Sequence, residues 1–263
     1  MNNELVTIEA LDEWAWFKCY FNSSHENWDG KTYKRNFAEL KLRDQAILTL
    51  GDIEGKKVLD VGCGWGLYAI VFARLGAVVY GQDLNEDSIA RGKKLMSAIG
   101  VNVTFKLGDA RSLLFDDNSI DVVFSGDFFE HISNEDKVLV IREVYRVLKP
   151  GGLFTIKTPN LTYLKISLLF KKVKAITCWK NPLHMYIPHT NYNPDCEHHG
   201  LISHAGIGEL LENNMFQFEK IAHSPLIRRG LPLWLGKILS KFKIFNEHII
   251  ITVKKPVFFG FWP

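Results

Sequence analysis

Residues 56–66 read KKVLDVGCGWG, and the interpretation of the rest of the chain depends on this stretch. Val58, Leu59 and Val61 form a short apolar run typical of a buried strand, and three glycines follow it at once. Apolar residues then recur at helical spacing from Leu67 to Gly76, so the glycine turn is predicted to join a strand to a helix N-terminus. Such a turn can hold a polar ligand, because glycines let backbone N–H groups approach it and the helix offers unpaired N–H donors.

The spacing of the glycines separates two classes of ligand. A dinucleotide fingerprint, G-x-G-x-x-G, would need its third glycine at Leu67, whereas the glycine comes one residue earlier, at Gly66. Asp60 stands at the end of the strand, and a carboxylate suits a cationic ligand better than a pyrophosphate. A nicotinamide oxidoreductase is therefore the least favoured function.

Further strands alternate with helical patterns along the chain, and polar residues stand at the ends of the strands. Strand signals fall at 77–80, 101–107, 120–125 and 153–158, and helical patterns at 87–99 and 134–148. Asp83 follows the second strand, where a carboxylate can accept hydrogen bonds from the two hydroxyls of a nucleoside ribose. The succession predicts an α/β, doubly wound sheet with a ligand crevice at the carboxyl ends of its strands.

These motifs together resemble one enzyme family over a continuous stretch, Leu59–Asn160. The pattern D-x-G-x-G-x-G at 60–66 resembles motif I of the class I S-adenosylmethionine-dependent methyltransferases, in the type 11/type 23 methyltransferase-domain group. The segments GDA at 108–110 and RVLKPGGLFTIKTPN at 146–160 resemble the same family. The resemblance implies a Rossmann-like sheet of seven strands in which the last two form an antiparallel hairpin.

The resemblance also implies a cofactor, S-adenosylmethionine, with S-adenosylhomocysteine as the product. Asp83 is implied to bind the ribose, Leu84 to pack on the adenine and Asp109 to accept from the exocyclic amine. The full set implied to hold the cofactor is Asp60, Gly62, Cys63, Gly64, Asp83, Leu84, Asp109, Ala110 and the backbone at Ser125.

The candidate catalytic residues lie just beyond the fourth strand, in SGDFFEH at 125–131, where the family has substrate-side residues. His131 is the first choice for a general base, because its ordinary pKa lies near neutrality. Asp127, Glu130 and His131 also resemble the E-x-x-E-H set of a ubiquinone-pathway O-methyltransferase and a small-RNA 2′-O-methyltransferase, where the set holds a divalent metal. Asp replaces the first Glu here, and a structural hydrogen-bonding role for Glu130 is favoured over a metal.

The same segment excludes one acceptor class. Enzymes that methylate exocyclic amines of bases usually carry [DNS]-P-P-[YFW] at this point, and residues 125–128 contain no proline. Base N-methylation is therefore not expected.

The regions outside the cofactor motifs are interpreted as a cap and a lid. Residues 1–50 predict an N-terminal helical cap, and 51–263 the methyltransferase domain with a substrate or lid insertion at 161–204. The insertion begins as a basic amphipathic helix and ends in a Pro- and His-rich loop, interpreted as a lid rather than a metal site. Its candidate ligands are His184, His189, Asp195, Cys196, Glu197, His198, His199 and His204. Residues 189–216 resemble a substrate region in methyltransferases of bacterial glycan and cell-envelope gene clusters.

Composition narrows the location and the partners. The 263 residues carry a net charge of only +3, so nucleic acid is not an expected partner. Four cysteines without ligand spacing indicate reduced thiols, and the first residues lack the features of a signal peptide, so a cytoplasmic location is expected. Residues 231–245 predict a basic amphipathic helix, for which packing on the sheet is favoured over peripheral contact with an anionic membrane.

The function expected from the sequence is methyl transfer from S-adenosylmethionine to a small molecule or a glycan or cell-envelope precursor, most plausibly at oxygen. Two alternatives stay open: a metal-dependent RNA 2′-O-methyltransferase, and a non-catalytic protein that binds S-adenosylmethionine.

Overall fold

The computed structural model describes residues 46–47, 49–179, 181–183, 185–187, 198–223, 238 and 241–257. Most of the cap expected at 1–50 and of the helix expected at 231–245 therefore lies outside the described residues. Among the residues that are described, no helix is long and apolar enough to cross a membrane.

Strands and helices alternate within these ranges as the periodicity predicts. The strands are β1 (Lys57–Val61), β2 (Val78–Asp83), β3 (Val103–Leu107), β4 (Ile120–Gly126), β5 (Leu148–Pro159), β6 (Gln217–His223) and β7 (His248–Lys254). The helices are α1 (Leu67–Arg74), α2 (Glu86–Ile99), α3 (Asn134–Val147), α4 (Leu161–Thr177) and α5 (His204–Asn213), with 3₁₀ turns at Phe129–His131 and Lys243–Phe245.

The strands form one sheet in the order β3-β2-β1-β4-β5-β7-β6. Strands β1 to β5 pair in parallel, whereas β7 runs antiparallel to both β5 and β6. This arrangement confirms the predicted doubly wound sheet and its final antiparallel hairpin. The order reverses between β1 and β4, and a crevice forms at such a point beyond the carboxyl ends of the strands.

The core lies on both faces of the sheet, because successive residues of a strand point to opposite sides. Val58 of β1 belongs to a cluster with Ile70 of α1 on one face. Leu59 of β1 belongs to a second cluster with Ile141 of α3 and Ile207 of α5. Burial on both faces is typical of parallel sheets and explains the nearly continuous apolar runs in the sequence.

The fifth strand begins earlier than the sequence predicts. The segment Lys149–Gly152, which separates the predicted helix from the predicted strand, lies inside β5, which starts directly after α3 at Leu148. Ile120 pairs with Leu148, but Val122 pairs with Leu153, so the segment forms a bulge between these two pairs. The left-handed backbone of Gly151, with a φ of 81°, allows the chain to turn there.

Lys255 closes this bulge from the end of β7. Its buried ammonium group donates hydrogen bonds to Asn118 Oδ1 (2.8 Å), the Tyr145 carbonyl (2.7 Å) and the Leu148 carbonyl (2.8 Å). Its own backbone pairs with Gly151 and Gly152. One lysine thus joins the last strand to the end of α3 and the start of β5.

We expect Lys255→Met to destabilise the fold, because it leaves two buried carbonyl groups without their donor. Unsatisfied buried groups cost about 1–3 kcal/mol each, so the free energy of unfolding in urea should fall by about 2–4 kcal/mol. The matched control is Lys254→Met at the preceding residue, whose side chain is only half-buried and for which we expect a change below about 1 kcal/mol. Equal losses in the two variants would contradict this role.

Candidate functional site

The glycine turn after β1 forms the base of the crevice. Gly62, Gly64 and Gly66 all have left-handed backbone, with φ values of 68°, 53° and 82°. At Gly64 an added Cβ would meet no atom within 4 Å, so this position is open. At Gly62 a Cβ would overlap the ring of Phe128, and at Gly66 it would lie 2.7 Å from the ring of Phe105. The sequence predicts ligand space at both Gly62 and Gly64, but at Gly62 the glycine makes room for an aromatic ring.

Asp83 lies at the end of β2 and faces this turn. One of its carboxylate oxygens accepts a hydrogen bond from Gly64 N–H (2.8 Å), and the other accepts from Asn85 N–H (2.8 Å). The next residue, Leu84, is 70% exposed, so its apolar side chain is accessible to a ligand. A carboxylate and an exposed apolar side chain thus lie side by side, as the recognition of a nucleoside requires.

Asp60 lies near the end of β1, just before the turn, and it is only 1% exposed. Burial, and then the charge of Asp83, raise its pKa well above the ordinary value, whereas a hydrogen bond from the Ala69 backbone opposes the rise. Its Oδ2 atom has no hydrogen-bond partner among the described residues. A buried carboxylate in this state favours a nearby cation, which fits the amine of S-adenosylmethionine.

Cys63, the remaining cofactor candidate in the turn, is buried. Its thiol makes only a long contact of 3.6 Å to the Gly64 carbonyl, and burial raises its pKa, so it stays protonated. Cys63 therefore contributes a small apolar side chain to the turn.

The loop after β3 carries the two candidates Asp109 and Ala110. Both carboxylate oxygens of Asp109 are held by Arg111, at 2.6 Å for the shortest contact, and Arg111 lowers the pKa of Asp109. A base amine bound here would have to share this carboxylate with the guanidinium group. Ala110 is half-buried and packs against the core below.

Gln82, which the sequence analysis did not single out, holds this loop in place. Its fully buried side chain donates to the carbonyl groups of Asp109 (2.9 Å) and Ser112 (3.4 Å) and accepts from Leu114 N–H (3.0 Å). The available signal was a polar side chain in an apolar strand directly before Asp83, because a buried amide needs partners.

The acceptor side of the crevice begins at the end of β4. Ser125 is buried, and its hydroxyl donates to the Val61 carbonyl (3.1 Å), which ties β4 to β1. Asp127 follows with left-handed backbone (φ 56°), and its two carboxylate oxygens each lie 2.5 Å from Lys157 Nζ. Lys157, which the sequence analysis also missed, is buried in β5 and balances the charge of Asp127.

Glu130 and His131 follow on the 3₁₀ turn. Glu130 is 2% exposed and accepts a hydrogen bond from the Thr158 hydroxyl (2.9 Å). Burial, and then the charge of Asp127, raise the pKa of Glu130. His131 is exposed, and one of its imidazole nitrogens lies within 4.8 Å of a carboxylate oxygen of the buried Glu130.

A third side chain from the insertion joins this pair. One ligand atom each of Glu130, His131 and His198 lies within 4.8 Å of the other two, close enough to hold a metal ion. Two imidazoles and a carboxylate suit zinc better than magnesium. The group that could hold a metal therefore differs from the predicted set of Asp127, Glu130 and His131. His198 takes the place of Asp127, which pairs with Lys157. Of the other insertion residues, His199 is exposed and His204 begins α5, whereas His184, His189, Asp195, Cys196 and Glu197 lie outside the described residues.

Comparison with known proteins agrees with this geometry. Residues 58–152 match the family profile described as methyltransferase domain. Proteins named ubiquinone biosynthesis O-methyltransferase from Rhizobium etli and Agrobacterium fabrum are 31% and 32% identical over 145 and 127 residues. These matches cover 52% and 48% of the chain, and 58% and 50% of the relatives. The chain thus spans little more than half the length of these relatives.

Solved structures show the same fold. A S-adenosylmethionine-dependent methyltransferase from Methanosarcina mazei superposes with a TM-score of 0.58 at 20% identity, over 80% of this chain and 97% of that one. One from Mesorhizobium loti gives 0.58 at 17%, over 82% and 97%. Residues 58–152 thus match a methyltransferase domain, and the chain has the fold of S-adenosylmethionine-dependent methyltransferases, as the sequence motifs predict.

We expect Asp83→Ala to weaken binding of S-adenosylhomocysteine by about 10- to 100-fold, because hydrogen bonds to a charged group contribute about 1.5–3 kcal/mol. Isothermal titration calorimetry measures the change. Asp87→Ala removes an exposed carboxylate from the first turn of α2 and should leave the affinity within about twofold. An unchanged affinity in Asp83→Ala would remove this residue from the cofactor site.

Proposed function

We propose that this methyltransferase transfers the methyl group of S-adenosylmethionine to an oxygen atom of a small molecule, in particular a glycan or cell-envelope precursor. The observation that carries the proposal is the exposed imidazole of His131, which lies on the 3₁₀ turn after β4 and beside the buried Glu130. The relatives named as O-methyltransferases support oxygen as the acceptor atom. The resemblance of residues 189–216 to a glycan-associated substrate region supports the finer assignment.

Some residues of the chain would hold the methyl donor, and another would deprotonate the acceptor hydroxyl. Bound S-adenosylmethionine supplies an electrophilic methyl carbon on a sulfonium. Asp60, Asp83 and the open position at Gly64 hold the donor, so that an acceptor hydroxyl can approach the carbon in line. His131 Nδ1 or Nε2 takes the hydroxyl proton as the oxygen forms its bond to carbon, and the electron pair of the broken carbon–sulfur bond stays on sulfur. Glu130, held by Thr158, supports the turn that carries His131.

A metal-assisted reaction on RNA is the second candidate, and the grouping of Glu130, His131 and His198 is the observation that favours it. A metal ion held by these residues would lower the pKa of a ribose 2′-hydroxyl without a free general base. The low net charge of +3 argues against an RNA substrate, since phosphate contacts need clustered cations. We therefore place small-molecule O-methylation first. The cytoplasmic location and the packing of residues 231–245 on the sheet, favoured over membrane contact, stay predictions.

The test is a methylation assay on a panel of small phenols and alcohols, nucleotide-linked sugars and short RNAs, with and without EDTA. We expect EDTA-resistant transfer to a hydroxyl of a small molecule or sugar. In His131→Ala, kcat should fall by about 10²- to 10⁴-fold, because a general base is lost, while binding of S-adenosylhomocysteine is retained. His199→Ala, an exposed neighbour in the insertion, is the matched control and should keep full activity.

Two outcomes would overturn the proposal. EDTA-sensitive transfer to RNA alone would establish the RNA enzyme. A panel without any methylated product, from a protein that binds S-adenosylhomocysteine, would establish a non-catalytic binding protein.

A further inference from the structure

Residues 200–202 of the insertion contact the chain at two places that are distant from them in sequence. Gly200 N–H donates to the Glu130 carbonyl (2.8 Å), and Leu161 N–H donates to the Ile202 carbonyl (3.1 Å). Asn160 and Ile202 form an isolated parallel bridge. Residues 198–202 therefore join the 3₁₀ turn after β4 to the end of β5.

The contact at Gly200 leaves no room for a side chain. A Cβ at this position would overlap the Ile132 carbonyl oxygen and the ammonium group of Lys137. Lys137 is fully buried and donates to that same carbonyl at 2.8 Å and to Asn134 Oδ1 at 3.3 Å. The backbone of the insertion thus packs directly on a hydrogen-bonded turn, which is a specific fit rather than a loose contact.

Docking at Gly200 fixes the position of His198, two residues earlier. The rings of His131 and His198 lie edge to face, with centroids 5.0 Å apart and an interplanar angle of 73°. Aromatic rings prefer this geometry, and the contact restricts the rotation of both side chains. His131 is itself exposed, so the contact with His198 lies at the surface.

We propose that His198 and Gly200 belong to one wall of the acceptor site, in which Gly200 is the docking point and His198 is a positioning residue for His131. This inference rests on the proposed function, because it assigns His198 to the same reaction. His198 itself takes no proton in this account. Its ring holds the imidazole of His131 in the orientation that faces the acceptor, and a misplaced base costs rate even when the cofactor is bound normally.

The experiment compares each substitution in the proposed wall with a control substitution at another residue of the same type. His198→Ala removes the ring, His198→Phe keeps a ring edge without nitrogen atoms, and His199→Ala removes the exposed neighbour. Gly200→Ala introduces the overlapping Cβ, whereas Gly208→Ala in α5 places a Cβ 3.5 Å from Phe218, which is an ordinary contact. All proteins are prepared and measured in EDTA, so that no metal ion contributes.

We expect His198→Ala and Gly200→Ala to lower kcat on the acceptor by about 10- to 100-fold, while KM for S-adenosylmethionine stays within about twofold. His198→Phe should recover most of the lost kcat, and the controls His199→Ala and Gly208→Ala should match the unmodified chain. Loss in His198→Phe equal to that in His198→Ala would overturn the positioning role, and so would full activity in His198→Ala.

A second measurement needs no acceptor and separates this inference from the proposed function. In a ¹H–¹³C correlation spectrum of the histidine Cε1–Hε1 groups, the His131 signal is assigned by its absence in His131→Ala. We expect this signal to shift in His198→Ala and Gly200→Ala, but not in His199→Ala or Gly208→Ala. A silent acceptor panel with the expected shifts would refute only the proposed reaction, whereas an unmoved His131 signal would refute the docking. Should Gly200→Ala fail to fold, the His198 variants decide the question.

Discussion

The hydrogen bond from Gly64 N–H to the Asp83 carboxylate connects the two parts of the cofactor crevice. The glycine turn belongs to the link between β1 and α1, and Asp83 to the end of β2, so the bond fixes the distance between two loops that must grip one ligand. It forms because β1 and β2 are parallel neighbours, paired up to Val61 and Gln82. The apolar runs that bury this sheet thus determine where the polar residues of the crevice lie.

The sequence was most informative where chemistry and spacing coincide. The glycines at 62, 64 and 66, the acid at 83 and the strand and helix periodicity were sufficient for the order of elements, because parallel strands bring their carboxyl ends to one edge. The contacts that each of these residues makes in the folded chain could not be predicted. Gly62 makes room for Phe128, a residue 66 positions later in the chain, and no local pattern reports such a contact.

The buried lysines could not be predicted from the sequence. Lys157 and Lys137 appear in the sequence as ordinary surface residues, yet one pairs with Asp127 and the other braces the Ile132 carbonyl. Lysine is rarely buried without a partner, and the partners here come from neighbouring strands and turns, so only the folded chain reveals them. The sequence also provided no sign that His198 differs from the other histidines of the insertion, because the ring it contacts, His131, lies 67 residues earlier.

The separation of the crevice between distinct stretches of chain has an evolutionary consequence. In the proposed site, the donor half comes from the turns after β1, β2 and β3, whereas the acceptor half combines the end of β4 with residues of a segment inserted between β5 and β6. Backbone contacts at Gly200 and Ile202 attach that segment, and backbone groups are present whatever the side chains are. Substitutions in the inserted residues can therefore change which acceptor the enzyme binds, while the cofactor pocket stays the same.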